Sequence, residues 1–297
     1  MLTFLPGPIR GIMAFISYIS VIVVLGIYIF ILAPLKFLVP HRKWQDFFTR
    51  RYRRIPHYWS ITSDFIMRAT TKIKWQVRQH VPISKLRSYI VIANHQSWMD
   101  ILAIQKVLDK IAPPSVYFMK RELIWFPILG LGCYLMGFPF MRRYSKVYLE
   151  KHPEKCGLDL KSTRKTCQKY KRFPVSLISF PEGTRFSSEK CARQKSPYKH
   201  LLKPRAGGLA HALNAMGEQV KTFIDITIVY QRKYPKVLSF FTGKAKKILI
   251  DINSREIEPQ LRGDYDFDHR YREYFQAWVN KLWTEKDEMI EALGESV

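Results

Sequence analysis

The stretch Asn94-His95-Gln96-Ser97-Trp98-Met99-Asp100 sets an imidazole and a carboxylate at H-x-x-x-x-D spacing, directly after the apolar run Ser88–Ala93. Loops that follow such runs are favoured seats for catalytic side chains. An imidazole titrates near neutrality, and it acts as a general base best when its second nitrogen donates to a carboxylate. That carboxylate fixes the tautomer and stabilises the imidazolium that forms. His95 and Asp100 are therefore the candidate catalytic pair. Ser97-x-x-Asp100 also reads as a capping box opening the next helix, and the two readings are compatible. Alone, the spacing is a weak pattern that needs support from its neighbours.

A second constellation, Phe180-Pro181-Glu182-Gly183-Thr184-Arg185, lies where the apolar run Val175–Phe180 ends in a turn. Gly183 lets backbone approach a ligand closely. Arg185 offers a planar fork of donors suited to a phosphate, and Glu182 either holds that arginine or accepts from a substrate hydroxyl. The plainer alternative is a surface turn with a local ion pair. A third piece, Gly137-Phe138-Pro139-Phe140-Met141-Arg142-Arg143, ends in paired arginines at the edge of Leu123–Met141, a stretch with no charged residue. It suits an anionic head group or two solvated cations.

The chain has neither a G-x-S-x-G elbow nor an H-E-x-x-H pair, which speaks against a serine acyl-enzyme on a hydrolase scaffold and against a metal peptidase. Cys133, Cys156, Cys167 and Cys191 lack C-x-x-C spacing, so reduced thiols in a cytosol-facing domain are expected. Cys156 follows His152 by one helical turn but without an orienting partner. No metal and no cofactor is expected.

These groups need a scaffold. Short apolar runs alternating with amphipathic ones beyond residue 60 read as an α/β domain. Ser88–Ala93, Val116–Met119, Val175–Phe180, Phe223–Tyr230 and Lys247–Ile252 are the expected strands. Helices are expected after Ser97, over Pro153 to Lys171, from Ala206, and from Arg270 to Leu293, the last with Tyr271, Phe275, Trp278 and Leu282 on a core face. Leu123–Met141 is interrupted by Pro127, Gly130, Gly132, Gly137 and Pro139, so it reads as buried turns and short helices that touch a bilayer. Phe186–Pro204 reads as a long polar, basic loop.

Gly11–Leu35 is a run of 25 uncharged residues, long enough at about 1.5 Å per residue to cross an apolar layer of about 30 Å. Residues 41–54 follow with six Lys or Arg against one Asp. The asymmetry puts the bulk of the chain on the cytoplasmic side. Trp44, Phe47, Phe48 and Tyr52, interleaved with these charges, suggest an interfacial helix with its rings among lipid head groups. Residues 1–58 are thus the expected membrane anchor and 59–297 the catalytic domain. Lys and Arg outnumber Asp and Glu 49 to 24 over 297 residues, which calls for anionic partners. No recognised nucleic-acid motif accompanies the charge, so specific nucleic-acid binding is not expected.

Four boxes in order now resemble a known family, the lysophospholipid acyltransferases, whose bacterial pattern is the PlsC-type 1-acyl-sn-glycerol-3-phosphate acyltransferase. The matching residues are Asn94, His95, Ser97 and Asp100; Lys120, Glu122, Leu123, Pro127 and Gly130; Gly137, Phe140 and Arg143; and Phe180 to Arg185 without substitution. The resemblance implies a glycerolipid acyltransferase-like fold, α/β with a mixed sheet flanked by helices, behind an N-terminal membrane-anchoring helical segment. It implies His95 as general base, Asp100 as its orienter, and Lys120 beside the thioester carbonyl. Arg143, Glu182, Gly183, Thr184 and Arg185 would fall on the acceptor's glycerol phosphate. The implied reaction moves a fatty acyl group from acyl-CoA or acyl carrier protein to a lysophospholipid hydroxyl, foremost 1-acyl-sn-glycerol-3-phosphate, without a covalent intermediate, at the inner membrane. Arg205-Ala206-Gly207 matches the later basic-x-Gly element. Pro139 and the region Ile226–Tyr230 depart from the family's pattern. The insert Phe186–Pro204, Arg143-Tyr144-Ser145 and His152-Pro153-Glu154 look like the YihG-like branch.

Overall fold

Tyr89–Ala93 is buried at all its positions, as a strand must be when helices cover both faces of its sheet. The computed structural model describes residues 2–126, 128–141, 152, 166–171, 173–231, 240–242 and 245–294. Along these residues run α1 (Gly7–Leu38), α2 (Arg42–Tyr52), α3 (Ile55–Thr70), β1 (Lys74–Gln79), β2 (Tyr89–Ala93), α4 (Met99–Ile111), β3 (Ser115–Tyr117) and β4 (Met119–Lys120). They continue with α5 (Leu129–Leu135), β5 (Phe140–Met141), β6 (Ser176–Ser179), α6 (Ser188–Gln194), α7 (Ala206–Met216), β7 (Thr222–Tyr230), β8 (Lys247–Glu256) and α8 (His269–Gly294).

Six strands form one mixed sheet in the order β1-β8-β7-β2-β6-β3, antiparallel only between β7 and β8. Period-two alternation sorts the side chains of β2: Ile90 and Ile92 join α7 and α8 in one core, while Tyr89, Val91 and Ala93 join α1, α3 and α4 in the other. The five expected strands are present, with boundaries shifted by a few residues. β1 was not expected. Its sequence, Lys-Trp-Gln-Val-Arg-Gln, is polar because it forms an edge with much of its surface exposed.

α1 is long and apolar enough to cross a membrane. It is also docked at its start, where Arg10 donates to the carbonyls of Thr70 (3.2 Å) and Thr242 (3.1 Å). Gly11, Ala14, Gly26 and Ile29 face the protein, whereas Ile12, Phe15, Ile16, Val24 and Ile31 are exposed. On α2, Trp44 and Phe47 are exposed, but Phe48 and Tyr52 are buried. The expectation that all four rings face outward is corrected: Phe48 and Tyr52 pack with Ile29 and Ile55, since a helix presents positions four apart on one face. α3 runs across the expected boundary at residue 58.

Leu123–Met141 forms a 3-10 turn, α5 and β5. It is not wholly buried, because Trp125 and Phe126 are among the most exposed aromatic side chains. Phe186–Pro204 is no open loop. Ser187 Oγ caps α6 by accepting from the Lys190 N–H at 3.3 Å, and the chain then folds inward to bury Leu201 and Leu202. Most of the helix expected over Pro153 to Lys171 lies outside the described residues, as do Cys156, Pro127, Arg142 and Arg143.

Candidate active site

Parallel pairing of β2 with β6 sets Ile92 opposite Ser179. Three residues further along both strands, His95 and Glu182 emerge at the same edge of the sheet. β7, parallel to β2 on the other side, ends at Tyr230. Open α/β sheets hold their ligands outside the carboxyl ends of parallel strands, where these three side chains lie.

The loop after β2 is pinned by Asn94, which is fully buried. Its amide donates to the Ile228 carbonyl (2.9 Å) and accepts from the Ile228 N–H (2.8 Å), extending the ladder to β7 by one side chain. His95 Nδ1 then lies 2.8 Å from Asp100 Oδ2. An ionised carboxylate only accepts, so Nδ1 carries the proton and Nε2 keeps its lone pair. The same Oδ2 accepts the Gln96 and Ser97 N–H groups at 2.7 and 2.8 Å, and Oδ1 accepts the Tyr230 hydroxyl. Asp100 thus holds the turn before α4 and the histidine together. Of the capping box, the half in which its carboxylate accepts the Ser97 N–H is formed, while Ser97 Oγ accepts from the Met99 N–H (3.3 Å) and the helix's own N-cap, Trp98, has no side-chain cap. Burial pushes the Tyr230 hydroxyl well above its usual range, so it stays a donor. His95 stacks on Phe180 at 4.2 Å between centroids, and its carbonyl accepts from the Phe186 N–H at 2.8 Å.

Glu182 differs from expectation. It is almost completely buried; Oε1 accepts the His95 N–H (2.7 Å) and Oε2 the Leu202 N–H (2.9 Å). Both oxygens are engaged by backbone, so Glu182 neither holds Arg185 nor faces a substrate. It is a strut under His95. Burial pushes its carboxyl up to about 8, against the pull of those two donors. Gly183 has φ +68°, the left-handed region that favours glycine, and lines the cavity described below. The Thr184 hydroxyl accepts from Lys190 Nζ at 2.9 Å. The Arg185 guanidinium lies over the Trp98 ring, 4.6 Å from its centroid, beside that cavity. Lys120 has its backbone in β4; its side chain, like Arg143, lies outside the described residues.

A cavity of about 810 Å³ opens from His95, within the range of about 300–1,000 Å³ common for ligand sites. On one side it is apolar, walled by Leu25 and Ile29 of α1, Trp59 of α3, and Ile128, Leu129 and Met136 around α5. On the other side it reaches Arg205, Gly208, His211 and Asp266. Cys133 also lines it, but burial pushes this thiol up to about 12, which keeps it protonated and poorly nucleophilic. Tyr230 and the second polar end were missed from sequence, and Asn94 was read as part of the first box without its role as a side-chain bridge to β7. The only signal for the second polar end was the basic-x-Gly element at Arg205.

A family model described as Acyltransferase matches residues 74–231, from β1 through the end of β7. The chain is 28% identical over 255 residues to a 2-acyl-1-lysophosphatidylinositol acyltransferase of Saccharomyces cerevisiae, covering 70% of this chain and 62% of that one. It is 24% identical over 229 residues to the 1-acyl-sn-glycerol-3-phosphate acyltransferase epsilon of Mus musculus, covering 68% of this chain and 56% of that one. It therefore spans about three fifths of the length of these relatives. Among solved structures it is similar to the 1-acyl-sn-glycerophosphate (LPA) acyltransferase PlsC of Thermotoga maritima. There the TM-score is 0.49 and the identity 17%, over 93% of this chain and 97% of that one, too distant to carry detail. With the family's residues matched over more than half of its length, the chain belongs to the Acyltransferase family.

Proposed function

We propose that the protein transfers a fatty acyl group from an acyl thioester to the free hydroxyl of a lysophospholipid, with the glycerol phosphate of 1-acyl-sn-glycerol-3-phosphate as the recognised core. One observation carries this reading. A His95 fixed through Nδ1 by Asp100 opens onto a large cavity with an apolar arm. The acyl chain lies in that arm. The acceptor oxygen attacks the thioester carbonyl while His95 Nε2 takes its proton, and Asp100 stabilises the imidazolium. The C–S bond then breaks, and the thiolate leaves with the proton returned by His95. Arg185 and Arg143 contribute charge to the acceptor phosphate, and Lys120 to the donor side. Acyl-CoA and acyl carrier protein present the same phosphopantetheine thioester, and the basic surface suits either.

The exposed apolar face of α1, with Trp44, Phe47, Trp125 and Phe126, supports membrane residence. The basic residues of 41–54 favour an anionic cytoplasmic leaflet. The setting we propose is the inner membrane, with the catalytic domain facing the cytoplasm.

Lipid mass spectrometry of the purified protein with lysophospholipid acceptors and both donor types tests this. Diacyl product that disappears in His95→Ala supports it. An acylated protein that accumulates without acceptor and later passes its acyl group on would overturn direct attack.

A further inference from the structure

The polar end of the cavity is built by a second His–Asp pair. His211 of α7 points Nε2 at Asp266 Oδ1, 3.0 Å away. The loop carrying Asp266 is held firmly. Asp264 Oδ1 accepts the Asp266 and Phe267 N–H groups (3.0 and 3.1 Å), Asn214 donates to the Gly263 carbonyl (2.7 Å), and Arg272 Nε donates to the Tyr265 carbonyl (2.9 Å). Gly207 admits the loop onto α7, since a Cβ there would lie 3.1 Å from the Tyr265 ring. Asp266 Oδ2 is buried and has no hydrogen-bond partner among the described residues. Among the described residues the His211 side chain makes its hydrogen bond through Nε2, which leaves Nδ1 for a ligand. Beside them, a Cβ on Gly208 would meet nothing within 4 Å, so the space is open.

This end adjoins the turn that carries Gly183. Arg205 donates its N–H to the Pro181 carbonyl at 2.8 Å, and its Cδ would lie 3.7 Å from a Cβ on Gly183. It lies on the α7 face of the sheet, opposite the apolar arm formed with α1. A lone carboxylate oxygen needs a donor. A phosphate or pyrophosphate brings chiefly acceptors and negative charge, which the carboxylate repels. A hydroxyl brings a donor for Asp266 and an acceptor or donor for His211.

We infer that His211 and Asp266 bind the hydroxyls of a head group beyond the acceptor phosphate, making a lysophospholipid with a polyol head group the preferred acceptor class. The inference rests on the proposed acyl transfer at His95. The test measures acceptor kcat/KM at saturating thioester donor, and donor KM at fixed acceptor, for lysophosphatidate, lysophosphatidylglycerol and lysophosphatidylinositol. The full-length wild type is compared with His211→Gln, Asp266→Ala and Gly208→Leu. The wild type is expected to use a polyol-bearing acceptor at least as well as lysophosphatidate. In each variant the ratio of polyol to lysophosphatidate kcat/KM is expected to fall about 10- to 100-fold, mainly through KM, the size of losing a hydrogen bond to a charged group. Unchanged ratios would overturn the inference, as would a raised donor KM with every acceptor, which would assign this end to the donor. If His211→Gln and Asp266→Ala do not fold, Gly208→Leu decides, because its side chain enters empty space. A wild type inactive on all three acceptors would instead remove the acyl-transfer reading itself, a result distinct from active enzyme with unchanged ratios.

Discussion

His95 and His211 each meet an aspartate at hydrogen-bond distance, 2.8 and 3.0 Å, on the wall of one cavity. The two carboxylates are placed in opposite circumstances. Asp100 is fully buried, and its oxygens together accept from His95, two backbone N–H groups and Tyr230. Asp266 is partly buried and leaves one oxygen without a partner among the described residues. A carboxylate with both oxygens engaged orients its histidine and binds nothing else. A carboxylate with a free, desolvated oxygen is poised to bind. The hydrogen bond from His211 also holds the Asp266 carboxyl below the usual range, against its partial burial, and so keeps it an acceptor.

If Asp100 and His95 act as one unit, His95→Ala should give the largest loss in the molecule, about 10²- to 10⁴-fold in turnover, with the protein still folded and membrane-bound. Near-wild-type turnover would end the comparison, because His95 would then be no more than a wall residue. Asp100→Asn should lose less, and adding it to His95→Ala should cost little more, since the orienter has nothing left to orient. Additive losses would mean that Asp100 acts separately. Thermal melts must accompany these assays, because an amide facing the Gln96 and Ser97 N–H groups also weakens the turn before α4.

The strut beneath His95 gives a pH signature. Glu182 titrates in the folded chain near 8, raised from 4.5 by burial. A raised value means that the folded state holds a proton which the unfolded state releases. This contribution is complete below about 4.5 and fades as pH rises through 8, with a slope of up to about 1.4 kcal/mol per pH unit between them. Glu182→Gln should flatten that part of the pH–stability curve while losing one of the two backbone contacts. A wild-type curve that rises from pH 5 to 8 while the variant's does not would contradict the assignment. Tyr230→Phe should have the smallest effect, a few-fold in turnover and about 1–3 kcal/mol in stability, because it leaves Asp100 Oδ1 short of a partner. No change in either measurement would show that the short carboxylate turn suffices without β7.

The expected strands and the H-x-x-x-x-D pair were legible because their signals are local. Buried strands are written as Val- and Ile-rich runs, and a carboxylate one turn after a histidine can fold back onto it. Glu182 was misread for the opposite reason. In sequence it neighbours Arg185, but its partners, His95 and Leu202, lie 87 and 20 residues away. The orientation of Phe48 and Tyr52 was equally hidden, since a basic helix beside an apolar one has the same composition whether its rings face lipid or protein.

By itself the sequence determined the apolar helix, the alternation of strands and helices, the spacing of His95 to Asp100, and the turn at Gly183. Each depends on residues within a few positions of one another. The tertiary structure alone decided that Tyr230 closes the carboxylate 130 residues earlier, that Glu182 lies beneath the histidine rather than before the substrate, and that His211 and Asp266, 55 residues apart, share one cavity with His95. The first two meetings follow from strand order and parallel register, and the third from the packing of the loop before α8 onto α7; contacts between distant segments set them all.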